Sequence, residues 1–337
     1  MSSRARRAGA LLLALLLLPA TPTRMVAAAT GSSTPATPKS RATGPTSAAP
    51  SKSSPSSKGT TPAPKSTASK STTTKKRTTA RRKAPRRPPP GGVYARHAIA
   101  VDAETGQVLF EKDAERSVPI ASLTKLMTAL VFLDQKPDLG RDVMVSIAEI
   151  QGAGHTRLRV GEFVSLLDLL HMSLMSSDNC ATRVLARESG LTLDDFLATM
   201  NRRALELGLT HTRYVEFTGL DARNVSTATD MARLLKVAAE HPMIHEITTT
   251  RSYEFRSNRR AHVSYNTNRL LYGQYEILGG KTGYISSAGY CLATRVRTPQ
   301  RDLIAVVLGA PTNATRFADV VRLVQRTTTA SLAARAD

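Results

Sequence analysis

The first acidic residue of this 337-residue chain is Asp102, and that asymmetry limits how much of it can fold. From Thr30 to Gly92 the sequence is Ser, Thr, Pro, Ala and Lys, with almost no aliphatic or aromatic side chain. Such a segment buries too little apolar surface to offset the entropy of ordering, so disorder is expected over 30–92. Four arginines up to Arg24 and fourteen Lys or Arg from Thr30 to Gly92 supply 18 of the net +21. The chain is long enough for one large domain or two small ones, and the remaining residues, 93–337, carry only +3. The basic balance therefore describes a tail, and a near-neutral folded part argues against nucleic acid as a partner.

Residues 1–29 read as an export signal, cleaved or retained as an anchor. Arg4, Arg6 and Arg7 precede a short apolar core from Ala10 to Leu18, and Ala27-Ala28-Ala29 offers small residues for cleavage. Export places the protein in the periplasm or cell envelope. There the basic tail has anionic polymers or lipid head groups as natural partners, or serves only as a solvated spacer. Two cysteines, Cys180 and Cys291, lie in apolar segments and read as buried thiols, with a disulfide as the alternative. His155, His171 and His211 lack metal-ligand spacing, so no metal and no cofactor is expected.

Within the foldable part, His97–Ala103 and Gln107–Lys112 read as a hairpin turned at Glu104-Thr105-Gly106. A buried helix is expected from Pro119 to Phe132. Helical patterning returns between about Leu166 and Thr248, with Gly190 and Gly208 as stops. Thr192…Asp195 and Thr227…Asp230 read as capping boxes. Strands are expected at 275–284, 290–297 and 303–308, and a last helix at 314–325. Two strands early and three late predict one sheet closed by both chain ends. Helices would cover both faces, with a helical subdomain inserted: an α+β fold.

Three short motifs lie in order along this frame. Ser122 and Lys125 are i and i+3 in the buried helix, which stacks an amine beside a hydroxyl. A serine needs such a neighbouring base to act as a nucleophile, and burial pushes a lysine towards its neutral form. Ser177-Asp178-Asn179 falls between two helical runs. Lys281-Thr282-Gly283 falls near the end of a strand. A competing Ser264-Tyr265-Asn266 shows that Ser-x-Asn also arises by chance.

The trio resembles the penicillin-recognising serine enzymes. It is most similar to the low-molecular-weight D-alanyl-D-alanine carboxypeptidases and endopeptidases of the S11 peptidase family. Pro119-Ile-Ala-Ser-Leu-Thr-Lys125, Gly161-Glu162, Thr218-Gly-Leu220, Asn266-Thr-Asn268 and Gly280-Lys-Thr-Gly-Tyr284 carry the likeness, which spans about 95–325. The resemblance implies a β-lactamase/transpeptidase-like fold with a sheet of about five antiparallel strands, in a domain over 93–330. Ser122 would be acylated and Lys125 would be its base. Ser177 would pass a proton to the leaving group, and Asn179 would hold the substrate and Lys125. Lys281, Thr282 and Gly283 would bind a peptide laid along the strand. The N–H groups of Ser122 and Tyr284 would form the oxyanion hole. The implied partners are peptidoglycan stem peptides and, as covalent inhibitors, β-lactams.

Departures from the wider pattern refine this expectation. No Glu-x-x-Leu-Asn sequence is present, so a penicillin should acylate Ser122 and stay. About 54 residues follow Gly283, which leaves no room for a C-terminal β-domain and anchor helix. Met175-Ser-Ser-Asp-Asn179, Asn224-Val-Ser-Thr227 and Arg316-Phe-Ala-Asp319 look like the short endopeptidases. Arg316 sits where carboxypeptidases pair an arginine with the terminal carboxylate of the substrate, unless it is only a surface-helix residue. That arginine favours a carboxypeptidase. An endopeptidase and an inactive wall-binding protein are the alternatives.

Overall fold

The computed structural model describes residues 92–333, with side chains to 328. The expected signal at 1–29 and nearly all of the expected linker at 30–92 lie outside these residues. The described part begins with Val93 buried, and its neighbours Tyr94 and Ala95 donate their backbone N–H groups to Asp319 near the start of the last helix.

Strands β1 (His97–Asp102) and β2 (Val108–Lys112) form the early hairpin. Its turn follows from chemistry: Asp102 Oδ1 accepts from the N–H groups of Glu104 and Thr105, and Gly106 adopts φ +74°. The short β3 (Val118–Pro119) leads to a 3₁₀ turn, Ala121–Leu123, and then to α1 (Thr124–Asp134). Strands β4 (Asp142–Met144) and β5 (Phe163–Ser165) pair around α2 (Ile147–Ile150). Helix α3 (Leu166–His171) continues through a π turn, Met172–Ser176, towards α4 (Asn179–Arg187), followed by α5 (Leu193–Glu206). Strand β6 (Val225–Ser226) pairs with β3 and precedes α6 (Ala228–Glu240) and α7 (Pro242–Thr249). Then come the hairpin β7 (Ser252–Arg256) and β8 (Ala261–Tyr265) and a 3₁₀ turn, Arg269–Tyr272. The chain closes with β9 (Glu276–Ile285), β10 (Gly289–Arg297), β11 (Asp302–Ala310) and α8 (Asn313–Ala333).

The main sheet has the order β2-β1-β11-β10-β9, with every neighbouring pair antiparallel. The first and last strands of the described part meet at its centre, where β1 pairs with β11. The run Leu303-Ile-Ala-Val-Val-Leu308 is apolar at every position because helices cover both faces. Leu303, Ala305 and Val307 share one core with Phe317, Val320 and Leu323 of α8. Ile304, Val306 and Leu308 share the other with Leu234, Leu235 and Ala238 of α6. This is the expected α+β arrangement of a five-stranded antiparallel sheet, flanked by helices and carrying an inserted helical region. Strand β9 forms one edge.

Several local expectations are corrected. Ser122 lies in the 3₁₀ turn before α1, and Ala121 ahead of it is held at φ +49°. Thr192 and Thr227 do cap α5 and α6, accepting from the N–H groups of Asp195 and Asp230, but neither acid closes a box. Asp195 accepts from the Thr192 hydroxyl, and Asp230 is drawn to the His211 N–H and the Thr212 hydroxyl. A reciprocal capping box exists instead at Ser146…Glu149. The β7–β8 hairpin was not expected. Both cysteines are free and buried, and burial pushes their thiols up to about 12 for Cys180 and about 11 for Cys291.

Candidate active site

Three separate segments converge on one amine. Lys125 Nζ lies 3.1 Å from Ser122 Oγ and donates to Asn179 Oδ1 and to the Thr218 carbonyl, each at 2.6 Å. Lys125 is fully buried among apolar neighbours of α1. Burial pushes its pKa down from 10.5 to about 7; Glu216 and Asp178 oppose the shift. An amine this close to neutrality can take a proton from the adjacent hydroxyl.

The turn that supplies Thr218 is built by Glu216. Its carboxylate accepts from the N–H and hydroxyl of Thr218 and from Asn224 Nδ2, and Asn224 also reaches Thr124 Oγ1 at the start of α1. Gly219 follows at φ +86°, and a Cβ there would collide with the carbonyl of Ala121 and the N–H of Ser122. The glycine is therefore required for the turn to lie under the serine.

Ser177-Asp178-Asn179 joins the π turn to α4. Ser177 is left-handed at φ +63°, and its Oγ is buried without a partner among the described residues. Asp178 caps α4 through the Ala181 N–H and also accepts from Thr156 Oγ1. Burial pushes its carboxyl upwards. Asn179, expected in the loop, is the first residue of α4, and its Nδ2 donates to the Ala153 carbonyl. The competing Ser264-Tyr265-Asn266 lies elsewhere, and Asn266 is committed to the carbonyls of Thr248 and Thr250.

Strand β9 forms the other wall. Lys281 is 1% exposed and donates to the Thr282 carbonyl. Burial, then repulsion from Lys125 and Arg316, lowers its pKa well below 10.5. Thr282 Oγ1 meets Thr267 Oγ1 at 2.6 Å, and the Thr267 N–H donates to the Met175 carbonyl, which ties β9 to the π turn. A Cβ on Gly283 would lie 3.0 Å from the Ile120 carbonyl and 3.1 Å from the Ser122 N–H, so the strand passes directly over the serine. Tyr284 is half exposed and stacks on Tyr290 at 4.3 Å between centroids.

Arg316 is not a surface residue. It is 7% exposed, and its Nη1 donates to the carbonyls of Gly283 and Cys291. Its guanidinium lies over the rings of Tyr290 and Phe317, its Nε has no partner among the described residues, and burial lowers its pKa to about 10. Sequence patterning had picked out the motif residues but not the roles of Glu216, Asn224, Gly219 and Thr267. Thr218-Gly-Leu220 was legible only as part of a family likeness. A recess of about 970 Å³ at the far ends of β9 and β10, against α8, contains no motif residue.

A five-stranded antiparallel sheet with a serine–lysine pair under its edge strand defines a serine hydrolase of the acyl-transfer kind. Residues 81–312 match the peptidase S11 family, described as D-alanyl-D-alanine carboxypeptidase. The chain is 39% identical to a D-alanyl-D-alanine endopeptidase of Pseudomonas aeruginosa over 232 residues, 67% of this chain and 74% of that protein. It is 31% identical to a D-alanyl-D-alanine carboxypeptidase of Bacillus subtilis over 237 residues, 68% of this chain and 61% of that protein. The crystal structure of the DD-transpeptidase of Streptomyces strain K15 superposes with a TM-score of 0.67 at 26% identity, covering 70% of this chain and 98% of that one. The protein belongs to the peptidase S11 family and is a serine peptidase.

Proposed function

We propose that the protein is a D-alanyl-D-alanine carboxypeptidase that removes the terminal D-alanine of peptidoglycan stem peptides through an acyl-enzyme at Ser122. The observation that carries this reading is Lys125, buried, held near neutrality and 3.1 Å from the Ser122 hydroxyl. Lys125 takes the Ser122 proton as Oγ attacks the D-alanyl carbonyl. The N–H groups of Ser122 and Tyr284 receive the oxyanion. Ser177, whose hydroxyl has no partner among the described residues, passes a proton to the departing amine. Asn179 holds Lys125, and Lys281, Thr282 and Gly283 align the peptide as a strand added to the β9 edge. Lys125 then activates water for deacylation. β-Lactams acylate the same serine. No Glu-x-x-Leu-Asn sequence is present and Glu216 commits its carboxylate to its own turn, which supports a long-lived penicillin adduct.

The endopeptidase reading has its own support. Arg316 spends Nη1 on two strand carbonyls instead of presenting the whole fork to a terminal carboxylate, and a relative at 39% identity is an endopeptidase. The pattern of residues 1–29 supports export to the cell envelope, and the basic stretch 30–92 supports contact with anionic polymers or lipid there. Among the described residues no helix is long and apolar enough to cross a membrane.

Two measurements test the reading. Mass spectrometry after a short exposure to penicillin should show one adduct on the Ser122 peptide, absent from Ser122→Ala. Release of D-alanine from a pentapeptide should then outpace cleavage of a crosslinked dimer. Faster cleavage of the dimer would make the enzyme an endopeptidase. A folded protein with no adduct would remove the acyl-enzyme reading altogether.

A further inference from the structure

The Ser122–Lys125 pair rests on a carboxylate that is hydrogen-bonded to neither residue. Glu216 is half-buried, and its side chain accepts from four donors. Oε2 takes the N–H and the hydroxyl of Thr218, each at 2.6 Å, and Oε1 takes the Gly219 N–H and Asn224 Nδ2. Four converging donors suit an ionised carboxylate. An amide in its place would turn an NH2 group towards one pair of them.

Two arms leave this carboxylate. The first runs to the base: Glu216 shapes the turn whose Thr218 carbonyl accepts from Lys125 Nζ. The second runs to the nucleophile. Asn224 is fully buried, and its Nδ2 bridges Glu216 and Thr124 Oγ1. The Thr124 hydroxyl in turn donates to the Ala121 carbonyl at 2.8 Å, in the peptide that leads into Ser122. The Asn224 carbonyl also takes the Ile120 N–H. Ala121 stands at φ +49°, where an alanine is strained, so its carbonyl needs such a hold.

Charges face Lys125 from each wall of the cleft. Glu216 belongs to the turn, Asp178 and Arg183 to the cap and body of α4, and Lys281 to β9. Burial lowers the proton affinity of Lys125, and Glu216 is first among the groups that oppose this, ahead of Asp178.

We propose that Glu216 is a positioning residue for acylation: it fixes the base through Thr218, fixes the nucleophile through Asn224 and Thr124, and supplies Lys125 with a counter-charge. One side chain thereby sets both where the pair stands and how basic its amine is. The inference rests on the acyl-enzyme reading above and goes beyond it in giving the carboxylate of the turn an electrostatic task.

The test uses the full chain and the rate of penicillin acylation, followed by adduct mass from about pH 5 to pH 9. Glu216→Gln keeps the size of the side chain and removes its charge. Acylation should fall about tenfold at its plateau, and the pH at which it rises should move down by about one unit, because the amine then sheds its proton more easily. Glu216→Asp keeps the charge and shortens the reach, so the rate should fall while the midpoint stays within about 0.3 units. Thr124→Val cuts only the arm to the nucleophile and should slow acylation about fivefold at every pH. An unmoved midpoint in Glu216→Gln would overturn the proposal and mark Glu216 as a support of the turn alone. So would Thr124→Val reacting at the unaltered rate, and this variant decides the matter if Glu216→Gln does not fold. Both of these outcomes leave the acyl-enzyme reading standing. A folded, unaltered protein that forms no adduct would overturn that reading and this inference together.

Discussion

Asp319 near the start of α8 and Lys281 in β9 are both sealed from solvent, yet the protein meets them in opposite ways. Asp319 accepts from the N–H groups of Tyr94 and Ala95 and from Arg322, so its charge is compensated on every side. Asp230 and Glu162 are treated likewise. The first is held by the His211 N–H, the Thr212 hydroxyl and Arg233, the second by the Arg159 N–H, Ser257 and His262. Around the cleft the pattern reverses. Among the described residues Lys281 has a single backbone acceptor, Ser177 Oγ has no partner, and neither has Arg316 Nε. The buried acids stitch distant segments together, whereas these groups of the cleft keep unused hydrogen-bonding capacity. An unmet buried polar group costs about 1–3 kcal/mol, so the cleft is bought with stability supplied elsewhere.

This contrast makes predictions of decreasing size. Lys125→Ala should reduce penicillin acylation roughly 10³-fold, read by stopped-flow or by adduct mass, while the protein stays folded, because a desolvated amine has been removed. Unfolding of this variant at neutral pH would break the contrast. Gly219→Ala should slow acylation about a hundredfold and also destabilise, since its Cβ would displace the Ala121–Ser122 peptide. Asp319→Ala should do the reverse. It should cost about 3 kcal/mol in urea denaturation, with acylation at low temperature changed by less than about twofold.

The pH dependence sharpens the comparison. Acylation should rise with pH through about 7 as Lys125 loses its proton, and flatten above. Stability follows the same group. Its folded pKa is lowered, so between about 7 and 10.5 the unfolded chain holds a proton that the folded chain has shed. The contribution of Lys125 to stability therefore rises with pH across that window, and Lys281 acts in the same direction. Thermal melts of Lys125→Met should lack the Lys125 part of this slope. The smallest effect is expected from Thr267→Val, about 1 kcal/mol of stability with a few-fold slower acylation, because it removes the hydroxyl's two bonds, to Thr282 and to the Met175 carbonyl, while the Thr267 N–H keeps its own bond to Met175.

Legibility in the sequence followed how local each signal was. The central strand β11 was plain because a strand buried on both faces must be apolar throughout. The first hairpin was plain because Asp102 and Gly106 encode its turn. The β7–β8 hairpin was not legible. Its second strand buries the polar His262 and Ser264, and Phe255 and His262 become a stacked pair only once Glu162 binds His262. The capping boxes failed for a similar reason. Asp230 had a stronger claim from His211 and Thr212, which are distant in sequence.

By itself the sequence determined the composition break at Val93, the strand and helix order, and the serine–lysine spacing, because each depends on burial patterns or on residues a turn apart. It also named the other motif residues. Only the tertiary structure decided what those residues meet. It set Ala121 and Ser177 in left-handed conformations, sank Lys125 beside the Thr218 carbonyl, and turned Arg316 from the helix surface onto the Gly283 carbonyl. The reason is physical. The proton affinity of a buried amine and the partners of a buried guanidinium depend on what segments some 30 to 90 residues away bring beside them, as Gly283 and Thr218 do here.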